Sequence, residues 1–193
     1  MKLIQRNRDA AYLQYDKYVD FDNPMVMEKA MDLTKNCRSV YEKIETIYYF
    51  VRDEIDHTWD AKDSTITISA SDVLEKKTGI SYSKANLLAA LMRANGIYTG
   101  FCYQRIKRFT YDNKLALHAL NAVFEPDVKK WIRLDARGNN YQFQADFSIN
   151  ERNLGYEIRP ELGEFEFDDL MAVLEKSTNA IKMYYNDLPD YND

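Results

Sequence analysis

The period of the hydrophobic pattern changes once along the chain, at Gly96, and this change limits the possible folds more than any other feature. Before Gly96, apolar residues recur every three or four positions, which predicts helices that bury one face. After it, apolar and polar residues alternate over residues 97–109, 115–124 and 130–134, which predicts three strands. Short turns join consecutive strands, so we expect an antiparallel sheet. Helices first and strands later predict an α+β fold.

Before Gly96, residues that are typical of helix starts mark where each predicted helix begins. Asn23 is the predicted N-cap of a first helix, and Ser39 begins a second one with a capping box. A helical turn over residues 71–75 precedes a central helix that begins near Ser81 and ends at Gly96. The predicted buried faces are Met25, Met27, Ala30, Met31 and Leu33 in the first helix, and Leu87, Leu88, Leu91 and Met92 in the central helix.

The remaining segments complete a single predicted domain over residues 1–193. Residues 11–22 are aromatic and acidic and are expected to form an extended arm packed on the body. Residues 111–114 form a predicted turn, residues 136–165 are expected to be irregular, and residues 167–176 are a predicted final helix.

Composition excludes several classes of function. The 193 residues carry a net charge of −5, which argues against nucleic acid as a partner. No run approaches the roughly 20 apolar residues of a membrane span, and no signal core is present at the N-terminus, so we expect a cytoplasmic protein. Two cysteines are too few for a disulfide framework. With only two histidines and no CxxC motif, we expect no zinc site and no other cofactor. Oligomeric state is not determined by these features.

Three side chains have the order of a nucleophile, a base and an orienting acid. Ser81 lies at the start of the central helix, where unpaired N–H groups and the helix dipole stabilise negative charge. His118 lies in the second predicted strand and Asp135 at the end of the third, so neighbouring strands can bring them together. From spacing alone, three simpler interpretations stay open: Ser81 is a helix cap, His118 is a structural core residue, and Asp135 is a turn residue.

The segments around these residues carry a family resemblance. GISYSKA at 79–85, followed by LLAALMRANGI at 87–97, resembles the nucleophile helix of bacterial transglutaminase-like proteins. LHALNAV at 117–123 resembles the histidine strand of that family, and WIRLDA at 131–136 its aspartate strand. ASDVL at 70–74 and GFCYQR at 100–105 also fit the bacterial branch. The resemblance covers residues 45–140 and implies the papain-like cysteine-protease fold, with the nucleophile helix packed on an antiparallel sheet.

The resemblance implies a Cys-His-Asp triad, with His118 and Asp135 in the second and third roles. The first role departs from the family, because Ser81 stands where the family has cysteine. Ser81 is therefore an engineered replacement that disables the enzyme, a natural serine nucleophile, or the mark of a pseudoenzyme. Cys37 and Cys102 do not fit the motif and are expected to be structural.

The implied function is an amide- or acyl-bond enzyme, either a peptidase, an amidase or an acyltransferase, with a peptide, amide or acyl substrate and no cofactor. The alternative is a non-catalytic binding domain that keeps the cleft.

Four other residues are weaker candidates for the functional site. Tyr103 and Gln104 adjoin the expected cleft, and alternation places one of them in the core; Arg137 either binds a substrate carboxylate or pairs with an acidic neighbour. His57 belongs with the charged residues 52–54 to a predicted solvated face.

Overall fold

The computed structural model describes residues 3–107 and 115–174 and has the predicted α+β architecture. Within these residues, four α-helices precede the main strands. The helices are α1 (Pro24–Thr34), α2 (Val40–Asp53), α3 (Ala70–Lys76) and α4 (Ser81–Ala94). The long strands are β4 (Thr99–Lys107), β5 (Leu115–Glu125) and β6 (Lys130–Leu134), and the short ones are β1 (Ile4–Gln5), β2 (Asp56–His57), β3 (Thr78–Gly79), β7 (Phe165–Glu166) and β8 (Asp169–Leu170).

The main sheet has the strand order β6-β5-β4-β7, and all of its pairs are antiparallel. The three predicted strands are thus confirmed as neighbours, although the predicted turn at 111–114 and the end of the first strand lie outside the described residues. Two parallel pairs supplement this sheet: β1 pairs with β8, and β2 pairs with β3. The second pair places His57 beside Gly79, directly before α4.

The predicted final helix is wrong over residues 167–174, and the last two residues of that prediction lie outside the described residues. This segment instead forms edge pairs with distant parts of the chain. Phe167 donates its N–H to the Tyr103 carbonyl at 3.0 Å, and Met171 donates its N–H to Phe101 at 3.0 Å. These non-local hydrogen bonds satisfy the backbone as well as a helix would, which local periodicity cannot indicate.

The predicted cap of the first helix is confirmed, and the capping box of the second is confirmed only in its Ser39 half, because the Glu42 carboxylate accepts from the Arg38 N–H at 2.6 Å. Asn23 accepts a hydrogen bond from the Met25 N–H, and Ser39 accepts one from the Glu42 N–H. The predicted buried face of α1 is only partly right. Val26, Ala30 and Thr34 are buried, whereas Met25 and Met31 are 38% and 64% exposed.

The central helix α4 is buried on all sides rather than along one stripe. Every side chain from residue 82 to residue 93 is buried, because the other helices and the sheet surround α4. Its polar residues find partners: Asn86 donates to the Ile68 carbonyl at 2.8 Å, and Arg93 donates to the carbonyls of Thr99 and Ala172. Gly96 follows the helix with φ of +73°, as the predicted left-handed cap.

Residues 11–22 pack on the body as predicted, but they do not form an extended arm throughout, because residues 11–13 belong to a 3₁₀ turn at Asp9–Leu13 and residues 17–19 form a bend. Tyr12 is fully buried and donates its hydroxyl to the Leu170 carbonyl at 2.8 Å. On β4, alternation predicted one core residue between Tyr103 and Gln104, but both are buried. The Gln104 amide donates to the Glu166 carboxylate at 2.9 Å, and Arg133 and Arg152 bind the same carboxylate, so a polar side-chain cluster covers Gln104 on the second face.

Candidate active site

Ser81 is the first residue of α4 and not its cap. The extended residue that precedes the helix is Ile80, which holds the N-cap position. The helix-cap interpretation of Ser81 is therefore wrong, because the cap position lies one residue earlier. Ser81 is partly exposed, in contrast to the buried residues that follow it along α4. A small polar side chain is thus presented at the positive end of the most buried helix of the described fold.

Gly79 allows the chain to fold tightly into this helix. A Cβ atom on Gly79 would lie 2.6 Å from Ser83 Oγ and 3.2 Å from Thr67 Oγ1. These two hydroxyls are themselves hydrogen-bonded at 3.2 Å, and Ser83 Oγ also donates to the Ile80 carbonyl at 3.1 Å. The backbone before Ser81 is therefore held against the first turn of α4 by packing that only glycine permits.

His118 and Asp135 meet across the neighbouring strands, as their positions predicted. His118 Nε2 lies 2.8 Å from Asp135 Oδ2, and both side chains are at least 97% buried. Since Nε2 faces the carboxylate, Nδ1 is the ring nitrogen left to exchange a proton with another group. The pair has the geometry by which a carboxylate sets the tautomer and orientation of an imidazole.

The Asp135 carboxylate is held by backbone as well as by His118. The N–H of Arg137 donates to Oδ1, and the N–H of Gly155 donates to Oδ2, both at 3.2 Å. Burial raises the pKa of Asp135, but the His118 charge and hydrogen bond and these two N–H groups outweigh it and hold the pKa below its ordinary value. Asp135 is thus a buried carboxylate that is hydrogen-bonded to the His118 imidazole, and not merely a turn residue.

The irregular segment after β6 contributes residues that no motif indicated. The Tyr156 ring packs on the His118 imidazole with centroids 4.6 Å apart, and it also packs on the Phe143 ring with centroids 4.5 Å apart. The Tyr156 hydroxyl accepts a hydrogen bond from Arg137 Nε at 3.0 Å. These contacts come from residues that are distant from His118 along the chain. The local sequence pattern therefore gave no signal for them.

Arg137 pairs with an acidic neighbour, which was one of its two predicted roles. Its guanidinium binds both oxygens of Asp60, with distances of 2.8 and 3.0 Å. Asn140 donates to the same carboxylate at 2.9 Å. This bidentate pair joins the loop after β2 to the loop after Asp135, so it connects the two sides of the site.

His57 corrects the predicted solvated face. It is only 6% exposed, and its Nδ1 lies 3.8 Å from Asp60 Oδ1. Burial lowers the pKa of His57 well below its ordinary value, and the charges of Arg137 and Lys84 lower it further. Amphipathic periodicity missed His57 because it lies in a two-residue strand just beyond the end of α2.

Asn121 connects α4 to the strand β5, which carries His118. Its Nδ2 donates to the carbonyl of Ala85, one turn after Ser81, at 3.2 Å, and to the Gly100 carbonyl at 3.3 Å. Asn121 thereby fixes the first turns of α4 against the strand that carries His118. Its signal in the sequence was its place in the 117–123 motif.

Lys84 lies in the first turn of α4 and is almost fully buried. Its ammonium group donates to the carbonyls of Ile55 at 2.5 Å and Arg52 at 3.4 Å, which clamps the end of α2 to α4. Burial, together with the Arg137 charge, lowers the pKa of Lys84 to about 7. The clamp is therefore sensitive to pH near neutrality.

Replacing Lys84 with methionine is expected to change how stability depends on pH. Between the folded pKa of about 7 and the unfolded value, the unfolded chain binds one more proton, so the wild-type free energy of unfolding rises with pH. Relative to Lys84→Met, that rise is up to about 1.4 kcal/mol per pH unit. Urea unfolding from pH 6 to pH 9.5 measures the difference, with exposed Lys76→Met as the control for loss of a lysine. Parallel pH curves for wild type and Lys84→Met would contradict the assignment.

The cysteines agree with their predicted structural roles. Cys102 is fully buried, and burial raises the pKa of its thiol to about 12, so it is a poor nucleophile. Cys37 is half-buried near the Thr46 hydroxyl at 3.6 Å. The part of the chain that the structure describes contains no cluster of three histidine, cysteine or acidic residues able to hold a metal ion.

The fold agrees with the similarity found to known proteins. The family model for the transglutaminase-like superfamily matches residues 28–136, more than half of the 193 residues. The chain belongs to the transglutaminase-like superfamily. No curated protein is significantly similar to it in sequence.

One solved structure shares the fold at low identity, and a second is less similar. A "Putative Cysteine Protease" from Cytophaga hutchinsonii is 22% identical with a TM-score of 0.55, over 67% of this chain and 42% of the other. The periplasmic domain of TgpA from Pseudomonas aeruginosa is 17% identical with a TM-score of 0.49, over 68% of this chain and 48% of the other. The chain thus spans less than half the length of these structures. None of the helices at 3–107 and 115–174 has the length and apolar content to cross a membrane, and a cytoplasmic location stays a prediction.

Proposed function

We propose that this chain is the scaffold of an enzyme that acts on amide or acyl bonds through a triad of the Cys-His-Asp type, with Ser81 in the nucleophile position. The observation that carries the proposal is the buried His118–Asp135 pair at 2.8 Å. The second support is the position of Ser81, which is partly exposed and is the first residue of α4. Asn121 connects this helix to β5, the strand that carries His118.

The proposed reaction begins when the side chain at position 81 attacks the carbonyl carbon of the substrate. His118 takes the nucleophile's proton through Nδ1, because Nε2 is hydrogen-bonded to Asp135. The tetrahedral oxyanion receives hydrogen bonds from N–H groups at the start of α4, including that of residue 81. Collapse breaks the bond to the leaving group, which takes the proton back from His118. Water as second substrate gives hydrolysis, whereas an amine gives acyl transfer.

Serine changes the chemistry of this step. A thiol is readily ionised by a helix N-terminus and a histidine, but a hydroxyl has to lose its proton during the attack itself. The proposal therefore treats Ser81 as an inactivating replacement in a site suited to a thiolate. The second candidate is a non-catalytic domain that binds a peptide or acyl ligand, and it is favoured by the same serine. A natural serine hydrolase is the third.

Acylation by para-nitrophenyl acetate separates these candidates. The Ser81→Cys protein is expected to release a burst of nitrophenol and to carry one acetyl group at position 81, detected by mass spectrometry of peptides. Wild type and Ser81→Ala are expected to show neither. A burst in wild type that Ser81→Ala abolishes would instead indicate a serine hydrolase. Absence of acylation in Ser81→Cys at position 81 would favour the binding domain.

A further inference from the structure

The strand β6 forms an outer edge of the main sheet. Within residues 3–107 and 115–174 it pairs only with β5, where Leu134 lies beside Asn121 and Lys130 beside Glu125. The backbone hydrogen bonds of these described residues include none from β6 to any other segment. In an antiparallel pair, about half of the N–H and C=O groups of a strand point away from its neighbour. β6 therefore presents a row of backbone donors and acceptors on its outer side.

A groove of about 480 Å³ lies along this outer side, and residues 130–133 of β6 line it. Successive side chains of a strand point to opposite faces of the sheet. Since four consecutive residues line the groove, it lies at the edge of the strand and not on one face of the sheet. Residues 148–152 of the irregular segment also line it. The groove thus leaves space beside β6 for a further segment of chain.

Part of the groove is apolar and already fixed in place. Trp131 and Ile149 line it, and both are partly exposed. The Trp131 ring packs on the rings of Tyr12 and Phe124, with centroids 5.1 and 5.7 Å apart. A ring that is held by its neighbours loses little conformational freedom when a ligand covers it. Trp131 is therefore a suitable contact for an apolar side chain of a bound segment.

The charged residues of the groove are mainly cationic. The cationic ones are Lys129, Lys130, Arg133 and Arg152, and the acidic one is Glu151. The two arginines share the Glu166 carboxylate, whereas the two lysines are exposed. Positive charge exceeds negative charge here even when Glu166 is counted, in a chain whose net charge is −5. The groove is therefore complementary to an acidic ligand.

The same charges disfavour a second copy of this chain as the partner. Pairing of β6 with β6 across a two-fold axis places the same surface of both copies in one interface. Lys129 and Lys130 of both copies would then lie on one two-stranded ribbon, where like charges repel. Lysines on an edge strand commonly prevent such pairing between copies. A strand with acidic side chains does not meet this repulsion.

We propose that this groove binds an extended acidic segment of another protein, which adds to the main sheet as a strand beside β6. Backbone hydrogen bonds to β6 supply the affinity, as in other cases of strand addition to a sheet edge. Carboxylates of the segment lie near Lys129 and Lys130, and an apolar side chain packs on Trp131. This inference is independent of the proposed function, because it involves neither Ser81 nor the His118–Asp135 pair.

The first test measures the charge preference with the full-length protein. The probe is a fluorescent nine-residue peptide in which glutamate alternates with valine, and fluorescence polarisation at about 50 mM salt detects its binding. The same peptide with glutamine for glutamate is expected to bind at least about tenfold more weakly. Lys130→Glu should lower the affinity about 3- to 10-fold and Lys130→Gln less, whereas the control Lys76→Glu should change it less than about twofold.

The second test asks whether the peptide binds as a strand. Two peptides are N-methylated at three alternate residues, one at positions 2, 4 and 6 and the other at positions 3, 5 and 7. Only one pattern should weaken binding by more than about tenfold, because alternate N–H groups of a strand point to opposite sides. Binding of the unmethylated peptide should also slow hydrogen exchange at residues 130–134, whose outward N–H groups gain acceptors.

Four outcomes would overturn the proposal. Two are the absence of saturable binding and equal binding of the two methylated peptides. The third is a dimer whose formation slows hydrogen exchange at residues 130–134, since it would assign the edge to a second copy. The fourth is tighter peptide binding after Asp187, Asp190 and Asp193 are replaced by asparagine, since it would assign the groove to the chain's own C-terminal residues. Thermal unfolding of each variant checks that it is folded.

Discussion

The Ser81→Cys thiol is expected to react with iodoacetamide at pH 6 about 10- to 100-fold faster than an ordinary cysteine, because the helix N-terminus and His118 favour the thiolate. At this pH an ordinary thiol is almost wholly protonated. The pKa of the new thiol is obtained from the alkylation rate measured between pH 4 and pH 9. This is the largest kinetic effect that the site predicts, and it needs no knowledge of the substrate.

The control for this prediction is the same protein with His118→Ala, in which the rate is expected to fall toward that of a free thiol. Cys37 is half-exposed, so the measurement uses a Cys37→Ser background, and Cys102 is fully buried and serves as an internal reference. A rate that is unaffected by His118→Ala would contradict a thiolate–imidazolium pair. A slow rate in both proteins would contradict the nucleophile position itself.

Replacing Asp135 with alanine is expected to lower the free energy of unfolding by about 3–5 kcal/mol, the usual loss when one partner of a buried pair is removed. The change leaves His118 Nε2 and the N–H groups of Arg137 and Gly155 without their common acceptor. Urea denaturation at pH 7 measures the loss. A decrease below about 1 kcal/mol would indicate that the pair is not buried in solution.

Asp135→Asn is the matched control, since it keeps the shape of the side chain, removes the charge and keeps one of the two acceptor oxygens. The folded-state pKa of Asp135 is held below its ordinary value, so its ionisation stabilises the fold at pH values above the unfolded pKa near 3.9. That contribution is lost as the pH falls through the folded pKa. The stability difference between wild type and Asp135→Asn should therefore shrink between pH 6 and pH 3. A difference that does not change with pH would contradict an ionised Asp135.

Much of the fold could be predicted because its signals are local. Asn23 and Ser39 begin helices through contacts with residues two or three positions away, and Gly96 ends one through its own backbone angle. The strands β4, β5 and β6 are joined by short connections, so alternation and chain order were enough to predict their pairing. The buried face of α1 was harder, because its periodicity allowed two adjacent faces and only the neighbouring helices select one.

The candidate site likewise has one part that the sequence determined and another that only the tertiary structure decided. Position 81, His118 and Asp135 stand in segments whose residue pattern resembles a known family, so the sequence alone determined which three positions to consider. It also determined that the first of them holds a hydroxyl where that family has a thiol. The tertiary structure decided what surrounds them: Tyr156 on the imidazole, Arg137 on Asp60, and His57 buried beside Gly79. These contacts join residues that are 22 to 77 positions apart. Their free energy depends on burial and distance in space, which no local pattern of amino acids encodes.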